Sequence, residues 1–239
     1  MDHEQVISIS FFRYTGIKAR WKGLTNMGLV PPQLESIRGL QFFKMLGSGG
    51  KKGFSILPSL SVYSLLCVWN SPADAQRFFS YNETYRHLRS TAEDNWTVFM
   101  RCLKSHGRWD GQEPFSTCKK NKNAGQAIAV ITRATIRTRH LWRFWRFVPP
   151  VSRSIHDREG LIFSVGIGEL PLVQQATFSL WESEQQLKSY AYESRHHRKV
   201  IKKTRELGWY EEELFARFQP YDTLGRWKGV DPLEPYLNT

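Results

Sequence analysis

One structural grammar is written twice along this chain, and that repeat limits the fold more than any other feature. Residues 62–69 (VYSLLCVW) form an apolar run that closes on Trp69, and Ser71-Pro72 then gives a helix-start signal. The spacing predicts a helix over 72–92 and a strand over 97–103, followed by the tail Gly107-Arg108-Trp109-Asp110-Gly111. In the second half residues 176–181 (ATFSLW) close on Trp181 and Ser183 opens a helix running to about Leu207. Residues 213–218 (ELFARF) then read as a strand before the tail Gly225-Arg226-Trp227-Lys228-Gly229. Upstream, residues 6–13 alternate apolar and polar as a half-buried strand does, and 127–137 are their counterpart. A Trp/Arg-rich helix follows each, over 16–28 and 138–148, and then a strand at 40–46 or 161–167.

Each half is therefore strand–helix–strand–strand–helix–strand, the ferredoxin-like order. Such a unit carries helices on one face of its sheet, so the other face must be covered. A second copy supplies the cover. The expected fold class is α+β: two ferredoxin-like βαββαβ units in one chain, packed face to face as a pseudo-dimeric α+β barrel. The boundaries read as a first unit at 1–113, a polar, basic linker at 114–125, a second unit at 126–229, and a loose C-terminal tail at 230–239. Residues 47–59 (GSGGKKGFSILPS) read as a long hairpin loop without the spacing of a phosphate-binding Walker loop.

Composition narrows the function classes. The net charge of +12 favours phosphate-bearing partners, whether nucleic acid or anionic lipid. Nine Trp and an aromatic share of 14% suit either a large core or an aromatic-lined pocket. The three cysteines match no zinc spacing, and there is no apolar run of membrane-spanning length and no N-terminal leader pattern. A reducing, cytoplasmic setting is expected, with contact at the cytoplasmic membrane face limited to the surface.

The repeat also sorts the seven histidines. Placing Trp69 on Trp181, an offset of 112, puts Ser71 on Ser183, Phe78 on Tyr190 and Tyr85 on His197. In the second of these helices Leu187, Tyr190, Ala191, Ser194, His197 and Ile201 recur at steps of three and four, which is one helical face. His197 thus faces the sheet, whereas His196 lies about 100° around the helix beside Arg195 and Arg198. An inward neutral imidazole suits haem iron, and it equally suits a core hydrogen bond to a backbone carbonyl. No HExxH, CxxC, GxSxG or GxGxxG pattern occurs.

Several segments resemble one known family. SFFRYTG (residues 10–16), FFKMLGSG (42–49) and GRWDGQEPF (107–115) resemble the N-terminal half of spheroidene monooxygenases. ITRATIR (131–137), FWRFVPPVSRSI (144–155), VGIGELPLVQQATFSLW (165–181) and RELGWYEEELFARF (205–218) resemble the C-terminal half. The resemblance implies a haem b-dependent oxygenase that places a keto group at C-2 of acyclic methoxy-carotenoids, as in spheroidene to spheroidenone. Dioxygen and a reduced ferredoxin-type donor are the implied cosubstrates. It also implies His197 as the axial ligand of the haem iron. Arg133 and Arg137, expected on one face of the fifth strand, are the weak candidates for haem-propionate or distal roles; solvated arginines fit them as well. In the 138–148 helix Trp and Arg together suit a membrane headgroup region, and a core helix with a solvated arginine side is the alternative. Two other functions fit the same residues. One is a cofactor-free or haem-degrading monooxygenase of the same barrel fold. The other is a basic nucleic-acid or membrane-surface binding module without catalysis; nucleic acid is not the expected partner, because the Trp residues close strands instead of forming a stacking platform.

Overall fold

The computed structural model describes residues 4–49, 58–119, 126–146, 158–193 and 207–237. The first half contains β1 (Val6–Arg13), α1 (Ile17–Leu29), α2 (Pro31–Leu34), β2 (Leu40–Gly49), β3 (Pro58–Trp69), α3 (Pro72–Tyr81), α4 (Glu83–Thr91) and β4 (Asp94–Gly107). The second contains β5 (Ile128–Ile136), a 3₁₀ turn at Thr138–His140, helical residues 141–146, β6 (Leu161–Gly168), β7 (Gln174–Trp181), α5 (Glu184–Glu193), β8 (Tyr210–Arg226) and the short α6 (Glu234–Leu237).

The strands close into one barrel in the order β1-β3-β2-β6-β7-β5-β8-β4. Each half contributes the same four-strand order, and the two sheets join edge to edge. One seam pairs β2 with β6 at Gly47↔Gly168 and Ser48↔Ile167; the other pairs β4 with β8 from Asn95↔Arg226 to Gly107↔Leu214. The inner faces of both sheets fill the barrel with a common core, including Ile7, Phe11, Leu66 and Val98 from one half and Ile131, Phe178, Leu180 and Phe218 from the other. The α+β barrel of the sequence reading is present, with the refinement that edge pairing closes it.

The repeat holds at atomic detail. Ser71 Oγ accepts from the Asp74 amide at 3.2 Å, and Ser183 Oγ from the Gln186 amide at 3.3 Å. Such caps contribute about 1 kcal/mol each. The ring of Trp69 lies on Phe78, and that of Trp181 on Tyr190. Both tails fold alike: Gly107 and Gly225 take φ of 93° and 86°, and the bridges Trp109↔Gln112 and Trp227↔Val230 close the turns. A Cβ on Gly107 would stand 2.1 Å from the Glu213 carbonyl oxygen, and one on Gly225 2.3 Å from that of Asn95. Glycine is therefore required at both ends of the long seam.

Three expectations are corrected. The single helix over 72–92 is two, because Asn82 turns to an extended backbone and caps a new start, its side chain accepting from the Tyr85 amide. The strands expected at 97–103 and 213–218 run Asp94–Gly107 and Tyr210–Arg226, since seam pairing extends them beyond their apolar cores. The C-terminal tail is docked: Leu233 is fully buried, Asp231 accepts from Trp96 Nε1 at 3.0 Å, and Tyr236 donates to Glu182 at 2.8 Å. At the start of the linker Phe115 also packs on Phe218.

Candidate active site

The outer faces of the two sheets, where helices belong, differ sharply. In the first half one apolar cluster spans the face, with Phe12, Tyr14, Met45, Tyr63, Leu65, Trp69, Phe78 and Tyr85 among its members. Among the described residues of the second half, two smaller clusters lie on this face. Ile128, Val130, Trp181, Leu187 and Tyr190 form one, and Ile136, Phe144 and Trp209 the other.

Strand pairing sets the two sheets in matching register. Val6, Trp69 and Leu40 are paired in the first half as Ile128, Trp181 and Leu161 are in the second, with the same irregularity after Leu40 and after Leu161. Counting along each strand from those anchors, Phe12 is matched by Ala134, Phe43 by Ser164, Met45 by Gly166, Tyr63 by Gln175 and Leu65 by Thr177. Five bulky side chains give way to small or polar ones at the centre of the sheet. The centre of the second sheet's outer face thus carries the small or polar residues Thr132, Ala134, Ser164, Gly166 and Thr177, of which Ala134 and Gly166 are buried. This stretch lies between the two clusters, about 20 Å apart along β5 from Val130 to Ile136. Thr132 is exposed in mid-sheet, and Ser164 Oγ is shut off from solvent with no hydrogen-bond partner.

Leu187 and Tyr190, the first members of the stripe assigned to His197, are buried and face this sheet. His197 itself lies outside the described residues. Among the described residues no group of His, Cys, Asp and Glu could hold a bare metal ion.

A curated protein of Cereibacter sphaeroides named spheroidene monooxygenase is 34% identical to this chain, over 96% of the chain and 71% of that protein. The chain belongs to the spheroidene monooxygenase family. It is accordingly an oxidoreductase that inserts oxygen. A spheroidene monooxygenase of Rhodobacter capsulatus is 31% identical over 95% of both chains. No family model matches the chain. Among solved structures an aldoxime dehydratase superposes with a TM-score of 0.65 at 11% identity, covering 91% of this chain and 82% of that one, which places the fold.

In this spheroidene monooxygenase family member Arg133 and Arg137 part company. Arg133 points into the barrel, its side chain 1% exposed. It stands where the first half has Phe11, and it lies over Trp109 as Phe11 lies near Trp227. Its guanidinium meets Asp110 at 2.9 Å, Glu169 at 3.5 Å and Glu212. Lys44 reaches Asp110 and Glu169, and Trp109 Nε1 donates to Glu169 at 3.1 Å. Lys44 and Asp110 come from the first half, Arg133, Glu169 and Glu212 from the second, so the cluster joins the halves. Arg137 follows a register shift at Thr135/Ile136; it is exposed, and its Nε donates to the Tyr210 carbonyl at 3.2 Å. No spacing in the sequence announced this cluster.

Glu212 carries a pH signature. Burial pushes its carboxyl up, but hydrogen bonds from the Gly111 and Asp110 amides and the Arg133 charge outweigh burial and hold it below the ordinary value of 4.5. A depressed folded-state value means a stabilising contribution that is full above pH 4.5 and is lost as pH falls through the folded value. Urea unfolding of the wild type should therefore weaken below pH 4.5 more steeply than that of Glu212→Gln. Parallel pH dependences in the two proteins would contradict it.

Proposed function

We propose that this chain is a haem b-dependent carotenoid monooxygenase that converts an acyclic methoxy-carotenoid of the spheroidene type to its 2-keto derivative. The observation that carries the reading is the kinship with spheroidene monooxygenases over 96% of the chain. Dioxygen and a reduced ferredoxin-type protein are the proposed cosubstrates. Two successive hydroxylations at C-2 give a geminal diol, which loses water to the ketone.

Small side chains at the centre of the second sheet's outer face, where the first half is bulky, support room for a flat macrocycle there. Apolar clusters flank this stretch at both ends, and the buried Ser164 hydroxyl there has no hydrogen-bond partner. Haem b, when bound, supplies the activation of dioxygen toward a closed-shell C–H bond. The chain's own part is different. His197 would hold the haem iron; in the sequence it falls seven residues, the length of two helical turns, beyond Tyr190. A neutral imidazole there needs an acceptor on its other nitrogen to fix the ring. The two apolar clusters exclude water and present hydrocarbon walls to a polyene. Arg137, exposed at the end of β5, is the arginine available to a propionate; Arg133 is not, because its charge is taken up by three carboxylates inside the barrel.

The test is co-expression in cells that accumulate spheroidene. Extracts should contain a carotenoid that has gained one oxygen and lost two hydrogens at C-2. Recovery of unchanged substrate beside folded, haem-loaded protein and an active reductant would refute the reading.

A further inference from the structure

Helix α1 packs inward through Ala19, Gly23, Asn26 and Met27 and turns a second apolar stripe outward. Gly23 and Asn26 are buried against the sheet, while Ile17 is 77% and Trp21 62% exposed, with Leu24 and Leu29 also in solvent. The reason lies beneath the helix. A Cβ on Gly23 would stand 2.6 Å from the Tyr63 ring and 3.0 Å from that of Tyr14, so the helix rests on these two rings through its glycine. Ile17, Trp21 and Leu24 recur at i, i+4 and i+7 and form one stripe. On a helical wheel Lys18 and Lys22 flank the stripe on one side and Arg20 on the other. No Asp or Glu occurs between Glu4 and Glu35.

We infer that α1 is a membrane-docking face that seats the protein on an anionic lipid bilayer, with Ile17, Trp21 and Leu24 in the headgroup–acyl boundary and Lys18, Arg20 and Lys22 among the headgroups. Charge complementarity selects this occupant. An acid-free basic helix with an outward aliphatic and Trp stripe has the composition of an interfacial helix. Ile17 and Leu24 have no use against nucleic acid, which is read by stacking platforms and phosphate contacts. The inference deepens the proposed function and rests on it for its purpose, since a carotenoid hydrocarbon partitions into bilayers. Among the described residues no helix is long and apolar enough to cross one.

The test is co-sedimentation of the full chain with vesicles of phosphatidylglycerol and phosphatidylcholine, against phosphatidylcholine alone. Binding is expected to the anionic vesicles and to weaken with salt. Ile17→Gln with Trp21→Gln should lower partitioning at least tenfold. Exchanging Lys18, Arg20 and Lys22 for Gln should lower it about fivefold per cation removed. The thermal melts should not move, because the side chains are in solvent. Absence of binding, undiminished binding by both variants, or a preference for duplex DNA over vesicles would each overturn the inference. The assay uses neither carotenoid nor cofactor. Vesicle binding without turnover would therefore sink the proposed function alone, and turnover without vesicle binding would sink the docking face alone.

Discussion

Arg133→Ala is expected to lower unfolding free energy by about 3 kcal/mol, among the larger effects of any single substitution in this fold. The guanidinium is shut inside the barrel, and its removal leaves Asp110, Glu169 and Glu212 facing one another with Lys44 as the remaining cation. Like charges at such distances repel, and the ring of Trp109 loses the cation above it. The carboxylates keep some contact with water, which screens them and holds the cost toward the low end for a broken buried pair. Arg133→Lys should recover only part of the loss, because an ammonium cannot fork to two carboxylates. Urea unfolding measures both. Combining Arg133→Ala with Glu212→Gln should cost less than the sum of the singles, as coupled groups do. A loss for Arg133→Ala below about 1 kcal/mol would mean that the cluster behaves as a solvated surface network.

The second large effect is on chemistry. His197→Ala should abolish carotenoid oxygenation while leaving the melt close to that of the wild type, since among the described residues the barrel core draws on the strands of both sheets. A mutant that keeps most of its turnover would remove His197 from the mechanism. Addition of imidazole to the mutant should restore part of the activity if the lost group is a ligand, and should do nothing if the histidine only packs.

Much of this fold was legible because its signals are local and written twice. Trp69 and Trp181, the caps Ser71 and Ser183, and the two GRW tails can each be read from a few neighbouring residues, and each has a matching ring contact, cap or bridge in the other half. What was not legible depends on partners distant in sequence. β4 and β8 outrun their apolar segments because each pairs with the other across the seam. The Arg133 cluster gathers residues from five separate segments, and no spacing connects them. One signal was available: a charged residue at the position that the other half fills with Phe11. The small centre of the second sheet was readable in the same way, since setting Phe12 beside Ala134 and Leu65 beside Thr177 shows where it lacks bulk. Asn82 broke its helix because its side chain competes for the backbone, which apolar periodicity does not register.

In the proposed function the second unit holds haem through His197. The direct measurement is the absorption spectrum of purified protein reconstituted with haem b, for wild type and His197→Ala, with circular dichroism to establish that both are folded. The account predicts a Soret band in the wild type that is lost or clearly shifted in the mutant. An identical band in the two proteins, or none in folded wild type, would contradict it.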